Sequence, residues 1–443
     1  MDHRIAVVGS GYVGTVAAAC FALAGHEVIA IESHPERLAS LRDSTAPFYE
    51  PGLNELLRDV VGTGRLRFTS DYPEGIDNSE VVFICVGTPP GPDGHPDLSQ
   101  VRSAAQSIAR NLRSHHIIVN KSTVPVGAGR WLMTVIEESV THPGAAGLVS
   151  IASNPEFLRE GHSVHDFLYP DRVVIGSDDP AVLEVLSSIY RPILNRDFPG
   201  ATAGDPAPVI RTSLATAEMT KYASNAFLAT KISFANEMAR ICDLVGADIV
   251  DVTLGMGLDP RIGARFLNAG LGWGGSCFPK DILALIRTAS EYDYHPRILT
   301  AALEVNAGQR RVVLETLLRH MKTLRGARIG ILGLTFKPGS DDIRDSAALD
   351  VAAMLTEREV SVVAHDPLVT TVPGLRTVPG PYDVANGADA IVLATEWPEY
   401  LDLDLNELAR RMRGDLFFDG RNAFTPDKVR AAGLNYVGIG RAP

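Results

Sequence analysis

The chain has 443 residues, of which 45% are hydrophobic and 21% charged, and its formal net charge is −12. This length predicts two or three domains with sizeable cores. The negative charge argues against a nucleic-acid binder or a polybasic membrane-surface protein, because either would need a cationic field.

Four cysteines are scattered along the chain without a C-x-x-C pair or a Cys/His cluster: Cys20, Cys85, Cys242 and Cys277. This spacing argues against structural zinc and a disulfide scaffold, so we expect no metal and a reducing, cytoplasmic home. The apolar run after Met1 superficially resembles a signal peptide, but glycines interrupt it. The chain contains no apolar run of about 18 residues, so we expect no membrane segment.

The first part of the chain alternates strand-like and helix-like segments. Arg4–Gly9, Glu27–Glu32, Val81–Gly87 and Ile117–Thr123 have the apolar pattern of strands, and Thr15–Gly25 has that of a helix. Continuous apolar strands separated by helices predict a parallel sheet that is covered on both faces.

A Gly-x-Gly-x-x-Gly turn, made by Gly9, Gly11 and Gly14, lies between the first strand and the first helix. Such a turn lets a pyrophosphate approach the helix N-terminus closely. Glu32, at the end of the next strand, would accept hydrogen bonds from ribose hydroxyls and repel a 2′-phosphate. We therefore expect NAD to bind here, in preference to a purely structural turn.

The stretch Leu214–Val245 contains neither Gly nor Pro, and its apolar residues recur at helical spacing. It predicts a helix of about 48 Å, which either links two lobes or forms a dimer interface. Lys221 and Asn225 are four residues apart on one face and could converge on one oxygen atom. Charged positions on a helix usually mark only its solvated face.

After about Leu324 the strand-like and helix-like segments alternate again, which predicts a second doubly wound domain. Asp197–Val209 is the expected boundary loop before the long helix. The fold class predicted is α/β, with two doubly wound Rossmann-like domains joined by a long central helix. The second domain lacks the full glycine fingerprint, so it is either a structural half or binds another phosphate ligand with Lys337.

Cys277 follows a glycine pair in the stretch LGWGGSCFPKD, and Pro279 suits the first turn of a helix. The helix N-terminus and the charge of Lys280 would stabilise a thiolate, and Asp281 stands one turn further on. A small buried hydrophobe is the alternative. The local sequence favours a nucleophile.

Polar residues at strand ends are weaker candidates. Glu156 and Glu160 lie in NPEFLREG, and Thr123 lies in KSTVPVG. Ligands of α/β proteins bind at strand ends, but loops there routinely carry polar residues.

Ordered motifs along the whole chain resemble those of the UDP-glucose/GDP-mannose dehydrogenase family, and most closely its members that act on UDP-glucose. The motifs are GSGYVG, YEPGL, VGTPP, KSTVPVG, SNPEFLREG, PDRVVIG, EMTKYASNAFLATKISFANE, GGSCFPKD, GLTFKPGSDDIRDS and FFDGRN. The resemblance implies an NAD-binding domain at 1–200, a central helical dimerisation region with the catalytic cysteine at 201–310, and a nucleotide-sugar-binding α/β domain at 311–443.

The resemblance also implies a four-electron oxidation of the sugar C6 alcohol to a carboxylate, with two NAD⁺ used in succession. Cys277 would trap the intermediate aldehyde as a thiohemiacetal, and the second oxidation would leave a thioester for hydrolysis. Lys221 and Asn225 would stabilise oxyanions. Asp281, Glu156 and Thr123 would orient water and move protons, as a group.

Binding residues are implied by the same matches. The cofactor positions are Gly9, Gly11, Tyr12, Val13, Gly14, Glu32, Arg37, Thr88, Thr123, Glu160, Lys280 and Arg344. The substrate positions are Glu156, Phe157, Leu158, Lys221, Asn225, Arg261, Phe266, Leu267, Asn268, Gly270, Gly274, Phe336, Lys337 and Arg421. Arg261 is expected to reach the active site of the neighbouring subunit in a homodimer.

Two positions depart from the family pattern. Glu32 stands where aspartate is usual, and Trp273 replaces a more frequent phenylalanine or tyrosine. The alternatives to UDP-glucose are dTDP-glucose and GDP-mannose. A two-electron hydroxyacid or acyl-CoA dehydrogenase would leave Cys277, Lys221 and Asn225 without a role, and a non-enzymatic nucleotide-sugar sensor is disfavoured because the catalytic set is intact.

Overall fold

The structure, a computed structural model, describes residues 2–91, 94–140 and 147–441, so the chain ends Met1 and Pro443 lie outside it. The chain forms two compact units. Unit 1 comprises Met1–Ala223 and Leu283–Thr288, and unit 2 comprises Ser224–Ile282 and Ala289–Pro443. The predicted division at residues 200 and 310 remains a prediction.

Unit 1 contains an eight-stranded sheet with the order β3-β2-β1-β4-β5-β6-β7-β8. Its strands are β1 (Arg4–Val8), β2 (Glu27–Ile31), β3 (Leu66–Thr69), β4 (Val81–Ile84), β5 (His116–Asn120), β6 (Val149–Ser153), β7 (Val173–Gly176) and β8 (Val209–Thr212). Its helices are α1 (Tyr12–Leu23), α2 (Pro35–Arg42), α3 (Leu53–Gly62), α4 (Tyr72–Asp77), α5 (Ser99–Asn111), α6 (Ala128–Ser139), α7 (Ser163–Leu168) and α8 (Pro180–Leu194).

The predicted parallel sheet is confirmed for the four strands on which the prediction rested, and the full sheet has one antiparallel junction. β6 and β7 pair antiparallel, through Ser153 and Gly176, while β7 and β8 are parallel to each other. The short loop-and-helix connection between β6 and β7, which carries the NPEFLREG motif, therefore returns the chain in the opposite direction instead of making a crossover.

The helix α9 spans Leu214–Val245, which confirms the predicted boundaries. Unit 1 holds its first turns, and the unit boundary falls between Ala223 and Ser224. The further helices are α10 (Ile249–Gly257), α11 (Phe278–Glu291), α12 (Arg297–Gln309), α13 (Arg311–Met321), α14 (Ala347–Thr356), α15 (Pro398–Leu401), α16 (Leu405–Arg411) and α17 (Pro426–Ala431), with a 3₁₀ turn at Pro381–Ala385.

Unit 2 contains a wholly parallel six-stranded sheet, which confirms the second doubly wound domain. Its strands are β9 (Arg328–Leu332), β10 (Ser361–His365), β11 (Arg376–Thr377), β12 (Ala390–Leu393), β13 (Leu416–Asp419) and β14 (Asn435–Gly438). Their order is β11-β10-β9-β12-β13-β14. In both sheets the order reverses beside the first strand, which creates the crevice where doubly wound folds bind ligands.

Alternate residues of each central strand pack on opposite faces of the sheet. In β4, Val81 and Phe83 join one core cluster, whereas Val82 and Ile84 join the other. β12 divides in the same way between the two clusters of unit 2. Helices cover both faces, and this is why these strands are apolar throughout.

Candidate functional site

The three glycines after β1 are needed for different physical reasons. Gly9 has φ +93°, and a Cβ on Gly14 would lie 1.8 Å from the carbonyl oxygen of Gly9. Gly14 therefore allows α1 to pack closely on β1. A Cβ on Gly11 would meet nothing within 4 Å, so the N-terminus of α1 is open for a ligand.

Glu32 follows β2 and is only 3% exposed. Its two oxygens accept the N–H groups of Ser10 (3.2 Å) and His34 (2.8 Å), and the Arg37 guanidinium lies 3.7 Å away. The Ser10 hydroxyl is buried and has no hydrogen-bond partner within the described residues. An acidic acceptor and an unpaired hydroxyl beside an open glycine turn fit the adenosine half of NAD.

The side chain of Tyr12, a predicted cofactor contact, belongs to a buried network. Its hydroxyl donates to Glu50 and accepts the N–H of Gly161 (2.9 Å). Glu50 also accepts the N–H groups of Gly161 and Ser163, both at 2.7 Å. Burial and the Glu50 carboxylate raise the pKa of Tyr12, so the phenol remains protonated and donates. Glu50, which the sequence reasoning did not single out, thus ties the first turn of α1 to the loop that carries Glu160.

Two of the predicted catalytic residues, Lys221 and Glu156, form a buried ion pair within unit 1. The Lys221 ammonium donates to Glu156 at 2.7 Å, and both side chains are at least nine-tenths buried. The other Glu156 oxygen accepts the N–H of Leu158 (2.6 Å), and the ring of Phe157 lies 5.6 Å from the ammonium. Burial alone would raise the pKa of Glu156, but Lys221 and Leu158 N–H hold it below its ordinary value. Glu156 is therefore ionised at neutral pH.

A buried polar cluster of Lys121, Asn154 and Tyr190 adjoins the loop that carries Glu156. Lys121 donates to Asn154 (3.0 Å) and to the Tyr190 hydroxyl (3.3 Å), and the amide of Asn154 donates to the Val174 carbonyl. Burial lowers the pKa of Lys121 to about 8. This cluster was also missed from the sequence, where Lys121 is a single charge beside an apolar strand.

Thr123 lines a small cavity of about 10 Å³ together with Glu218, Lys221 and Tyr222, among others. That volume is close to the space one water molecule needs. Glu218 accepts the N–H groups of Gly127 (2.6 Å) and Gly129 (2.9 Å) at the start of α6. Burial raises the pKa of Glu218, while these two bonds oppose the rise.

Thr88, a predicted cofactor contact that follows β4, is 8% exposed.

In unit 2, Cys277 is the residue that directly precedes α11, as predicted, and is partly exposed. The N–H of Asp281 donates to its carbonyl at 3.0 Å, which closes the first helical turn. The positive end of the helix dipole favours an anion at this position. Its surroundings therefore suit a thiolate better than a buried spacer.

Asp281 is 1% exposed and is held by two of the other predicted residues. Asn225 donates to one carboxylate oxygen at 2.6 Å, and Lys280 donates to the other at 2.5 Å. A buried carboxylate is stable only when it is paired in this way. The structure thus assembles Cys277, Asn225, Lys280 and Asp281 within unit 2, and Glu156, Lys221 and Thr123 within unit 1.

The glycines around Trp273 are each required by packing within unit 2. A Cβ on Gly272 would lie 2.4 Å from Asn306, and one on Gly274 would lie 2.0 Å from the Asp345 carbonyl. Gly275 has φ +79°, and its Cβ would press on the Phe336 ring at 2.8 Å. The chain before Cys277 is thus confined on several sides.

Trp273 is 4% exposed. Its indole N–H donates to Ser233 on α9 at 2.9 Å, and its ring packs edge-on against Phe278. The tryptophan that departs from the family pattern is therefore an interior anchor of the Cys277 segment.

Predicted substrate residues gather at the crevice of the second sheet. Arg421, just after β13, donates to the carbonyls of Ala394 (2.6 Å) and Phe336 (3.3 Å), which follow β12 and β9. The Lys337 ammonium lies 5.3 Å from the Phe336 ring. The N–H of Leu271 donates to the Gly420 carbonyl at 3.1 Å, which brings the Phe266–Gly274 loop to the same strand ends.

Several predicted residues lie at the surface. Arg261 is 87% exposed and makes a bidentate pair with Asp259, and Arg344 makes a similar pair with Asp342. Phe266 has φ +65°, an unusual backbone conformation for a bulky residue, and Leu267 is buried. Asn268 is exposed.

Within the described residues, no group of three or more His, Cys, Asp and Glu side chains could hold a metal ion. In the same part of the chain, we find no helix long and apolar enough to cross a membrane.

The doubly wound fold of unit 1, its glycine turn and its acidic ribose acceptor define an NAD-dependent oxidoreductase. Three consecutive stretches match the UDP-glucose/GDP-mannose dehydrogenase family: its NAD binding domain at residues 3–194, its central domain at 215–308 and its UDP binding domain at 330–426. The chain belongs to this family.

Similar proteins cover the whole chain. A UDP-glucose 6-dehydrogenase of Rhizobium meliloti is 43% identical over 448 residues, with 99% of each chain covered. One of Pseudomonas aeruginosa is 44% identical over 450 residues, covering 99% of this chain and 97% of its own. The solved UDP-glucose dehydrogenase of Pyrobaculum islandicum has a TM-score of 0.90 at 38% identity, covering 100% of this chain and 98% of its own.

Proposed function

We propose that the chain oxidises the C6 alcohol of UDP-glucose to UDP-glucuronate, with NAD⁺ as the hydride acceptor in both oxidations, through a covalent intermediate on Cys277. The observation that carries the proposal is the thiol at the start of α11, with the buried Asp281 carboxylate one turn away. A simple alcohol dehydrogenase has no use for this thiol. The relatives at 43% and 44% identity support UDP-glucose over GDP-mannose and dTDP-glucose.

The proposed reaction has four steps. Loss of the first hydride and a proton converts the alcohol to an aldehyde. The Cys277 thiolate adds to the aldehyde carbon, and the resulting oxyanion takes up a proton to form a thiohemiacetal. Loss of that proton, and of the second hydride to NAD⁺, leaves a thioester. Water attacks the thioester, the carbon–sulfur bond breaks, and the uronate carboxylate, the thiolate and two protons are released.

We assign Lys221 and Asn225 as hydrogen-bond donors to the oxyanions of the addition and hydrolysis steps. An asparagine amide has two N–H groups, and the bond to Asp281 uses one of them. Asp281, Glu156 and Thr123 orient water and move protons as a group. Because Glu156 is held ionised by Lys221, it accepts protons and does not donate them at neutral pH.

We propose that the turn at Gly9–Gly14, with Glu32, Arg37, Thr88, Glu160, Lys280 and Arg344, holds NAD. The nucleotide sugar is assigned to the Phe266–Gly274 loop with Phe336, Lys337 and Arg421, which cluster at the strand ends of the second sheet. We also propose the three-part division at residues 200 and 310, supported by the three family stretches at residues 3–194, 215–308 and 330–426.

One assay tests the reaction. Purified protein with NAD⁺ is given UDP-glucose, dTDP-glucose or GDP-mannose, and we expect about two NADH per UDP-glucose. One NADH per sugar with release of the aldehyde would disprove the thioester route. Cys277→Ser should stall at an ester-like intermediate and keep NAD affinity, and full turnover in that variant would exclude Cys277 as the nucleophile.

We also propose a homodimer. Phe227, Phe234 and Ile241 recur every seven residues along α9 and are 66%, 44% and 46% exposed. A heptad stripe of exposed apolar side chains is typical of a helix that pairs with a second helix. Ile241→Glu should yield monomers in light scattering. Leu318→Glu, at a comparable 44% exposure on α13, is the matched control and should not change the mass.

Arg261 is proposed to act in the site of the neighbouring subunit. Co-expression of the inactive variants Cys277→Ser and Arg261→Ala tests this, because a mixed dimer would then contain one complete site. We expect recovery of about a quarter of the native activity from random pairing. No recovery would place the action of Arg261 in its own subunit.

A cytoplasmic location is part of the proposal, supported by the four cysteines, which form no disulfide within the described residues.

A further inference from the structure

We propose that Asn306 and Arg310, at the end of α12, are positioning residues that hold the backbone just before Cys277 in the geometry that catalysis requires. This inference rests on the proposed function, because it serves the chemistry assigned to Cys277. Neither residue lies in a sequence motif singled out above.

Asn306 pairs with both backbone groups of Trp273. Its Oδ1 accepts the Trp273 N–H at 2.8 Å, and its Nδ2 donates to the Trp273 carbonyl at 3.0 Å. The side chain is 6% exposed, so these bonds are shielded from water. An asparagine amide presents an acceptor and a donor side by side, and can therefore pair with a residue as a neighbouring strand would.

Arg310 strengthens the same attachment. Its Nη2 donates to the Trp273 carbonyl at 3.0 Å, and its Nη1 donates to the Asn306 carbonyl at 2.7 Å. Arg310 is 8% exposed, and its guanidinium reaches Asp350 at 3.3 Å. One carbonyl oxygen thus accepts from two side chains, and a charged donor makes the stronger bond.

The glycine before Trp273 shows how closely the chain is held. Gly272 has φ +93°, and a Cβ there would lie 2.4 Å from the Asn306 oxygen and 2.9 Å from the Arg310 guanidinium. A side chain at this position would push the loop away from α12. We call the contact of Asn306 and Arg310 with the Trp273 backbone the clamp. The close approach at Gly272, the paired hydrogen bonds of Asn306 and the shared Trp273 carbonyl are three separate observations of it.

The clamp lies between the two segments that the reaction uses. Gly274, Gly275 and Ser276 lead from Trp273 to Cys277, and glycines do not by themselves fix the path of the chain. The Cys277 position therefore depends on anchors, of which the Gly275 N–H to the Arg344 carbonyl (3.1 Å) is another. In the other direction, Trp273 is the penultimate residue of the Phe266–Gly274 substrate loop. Release of the clamp would displace both Cys277 and the substrate loop, and a displacement of about 1 Å costs about a hundredfold in rate.

The test compares Arg310→Met with Arg311→Met, since Arg311 is the adjacent arginine and is exposed. We expect kcat/KM for UDP-glucose to fall about a hundredfold in Arg310→Met, with KM raised and kcat lowered. The rate of Cys277 alkylation by iodoacetamide should also change. All properties of Arg311→Met should stay native. Arg310→Lys, which keeps the charge but not the fork, should fall in between.

Asn306→Ala provides a second, uncharged variant. Since both side chains serve the same Trp273 carbonyl, the double variant Asn306→Ala/Arg310→Met should lose less than the product of the two single losses. A multiplicative loss would contradict a shared clamp.

A purely structural role has a different signature. If Arg310→Met lowers only the melting temperature, and the folded enzyme keeps native kinetics and alkylation rate, the inference is overturned. If the native protein makes no NADH from UDP-glucose, the proposed function fails, and the alkylation contrast between the two arginine variants still decides whether the clamp positions Cys277.

Discussion

Replacing Lys221 by methionine would leave the Glu156 carboxylate buried without its ammonium partner. The two groups are 2.7 Å apart, with side chains only 6% and 8% exposed, so water cannot replace the lost partner. Methionine keeps the length and apolar character of the lysine stem. The perturbation therefore removes one charge and little packing.

The cost follows from burial. Breaking a buried ion pair from one side costs about 3–5 kcal/mol, because the remaining charge is uncompensated. For a unit of this size each kcal/mol lowers the melting temperature by roughly 2–4 °C, so unit 1 should melt roughly 10 °C lower. The double variant Lys221→Met/Glu156→Leu removes both charges and should recover most of this loss. It should remain inactive, since the proposed oxyanion donor is gone.

The pH dependence of the stability of unit 1 should also change sign. In the native protein the pKa of Glu156 lies below its ordinary 4.5, so the pair's stabilisation is present above that pH and is lost as the pH falls through the folded-state value. In Lys221→Met, burial acts without the ammonium and the pKa of Glu156 should rise. The folded state would then bind the extra proton, and stability should fall as the pH rises above 4.5.

Differential scanning calorimetry at several pH values measures all of these effects. Arg58→Met is the matched control, because Arg58 pairs with Glu55 at 3.0 Å but the two side chains are 62% and 69% exposed. It should cost less than about 1 kcal/mol. A Lys221→Met loss no larger than that of Arg58→Met would refute the reasoning. So would a double variant no more stable than the single one.

Substitutions in the first glycine turn should separate packing from ligand binding. Gly14→Ala should lower both stability and NAD affinity, since its Cβ would lie 1.8 Å from the Gly9 carbonyl, whereas Gly11→Ala points into open space and should lower only NAD affinity. Equal melting temperatures for the two variants would contradict this. Lys121→Met should remove a rise in stability above pH 8. Burial lowers the pKa of Lys121 to about 8 from an ordinary 10.5, so in this range the folded state has released a proton that the unfolded chain retains. The rise should reach at most about 1 kcal/mol per pH unit, and above pH 9 it is opposed by thiols such as Cys85, whose pKa burial raises from 9.0 to about 12. Denaturation of both proteins at pH 8 and pH 9 measures the difference, and identical slopes would exclude a buried Lys121 charge.

Local patterns explain what could be predicted from the sequence. The long helix has the predicted ends, Leu214 and Val245, because a stretch without Gly or Pro has no internal helix stop. The predicted first helix, Thr15–Gly25, has shifted ends in the structure, Tyr12 and Leu23. Gly25 adopts φ +100° just beyond it, as a glycine after a helix commonly does.

Longer-range pairings could not be read in this way. The antiparallel junction at Ser153 and Gly176 depends on how the chain returns after β6, and no local signal marks it. Sequence patterns likewise identified Trp273 as an unusual residue beside the glycine pair and left its environment open. The structure places its indole N–H against Ser233, 40 residues away.

The sequence by itself determined the α/β class, the NAD turn, the long helix and the helix start at Cys277. The residues that produce each of these features lie close together in the sequence. Only the tertiary structure decided which charges are paired and what anchors the reactive segment. Glu156 meets Lys221 across 65 residues, and Trp273 meets Arg310 across 37. Such pairs are selected by burial, since a charge or a carbonyl removed from water must find a partner wherever the fold supplies one.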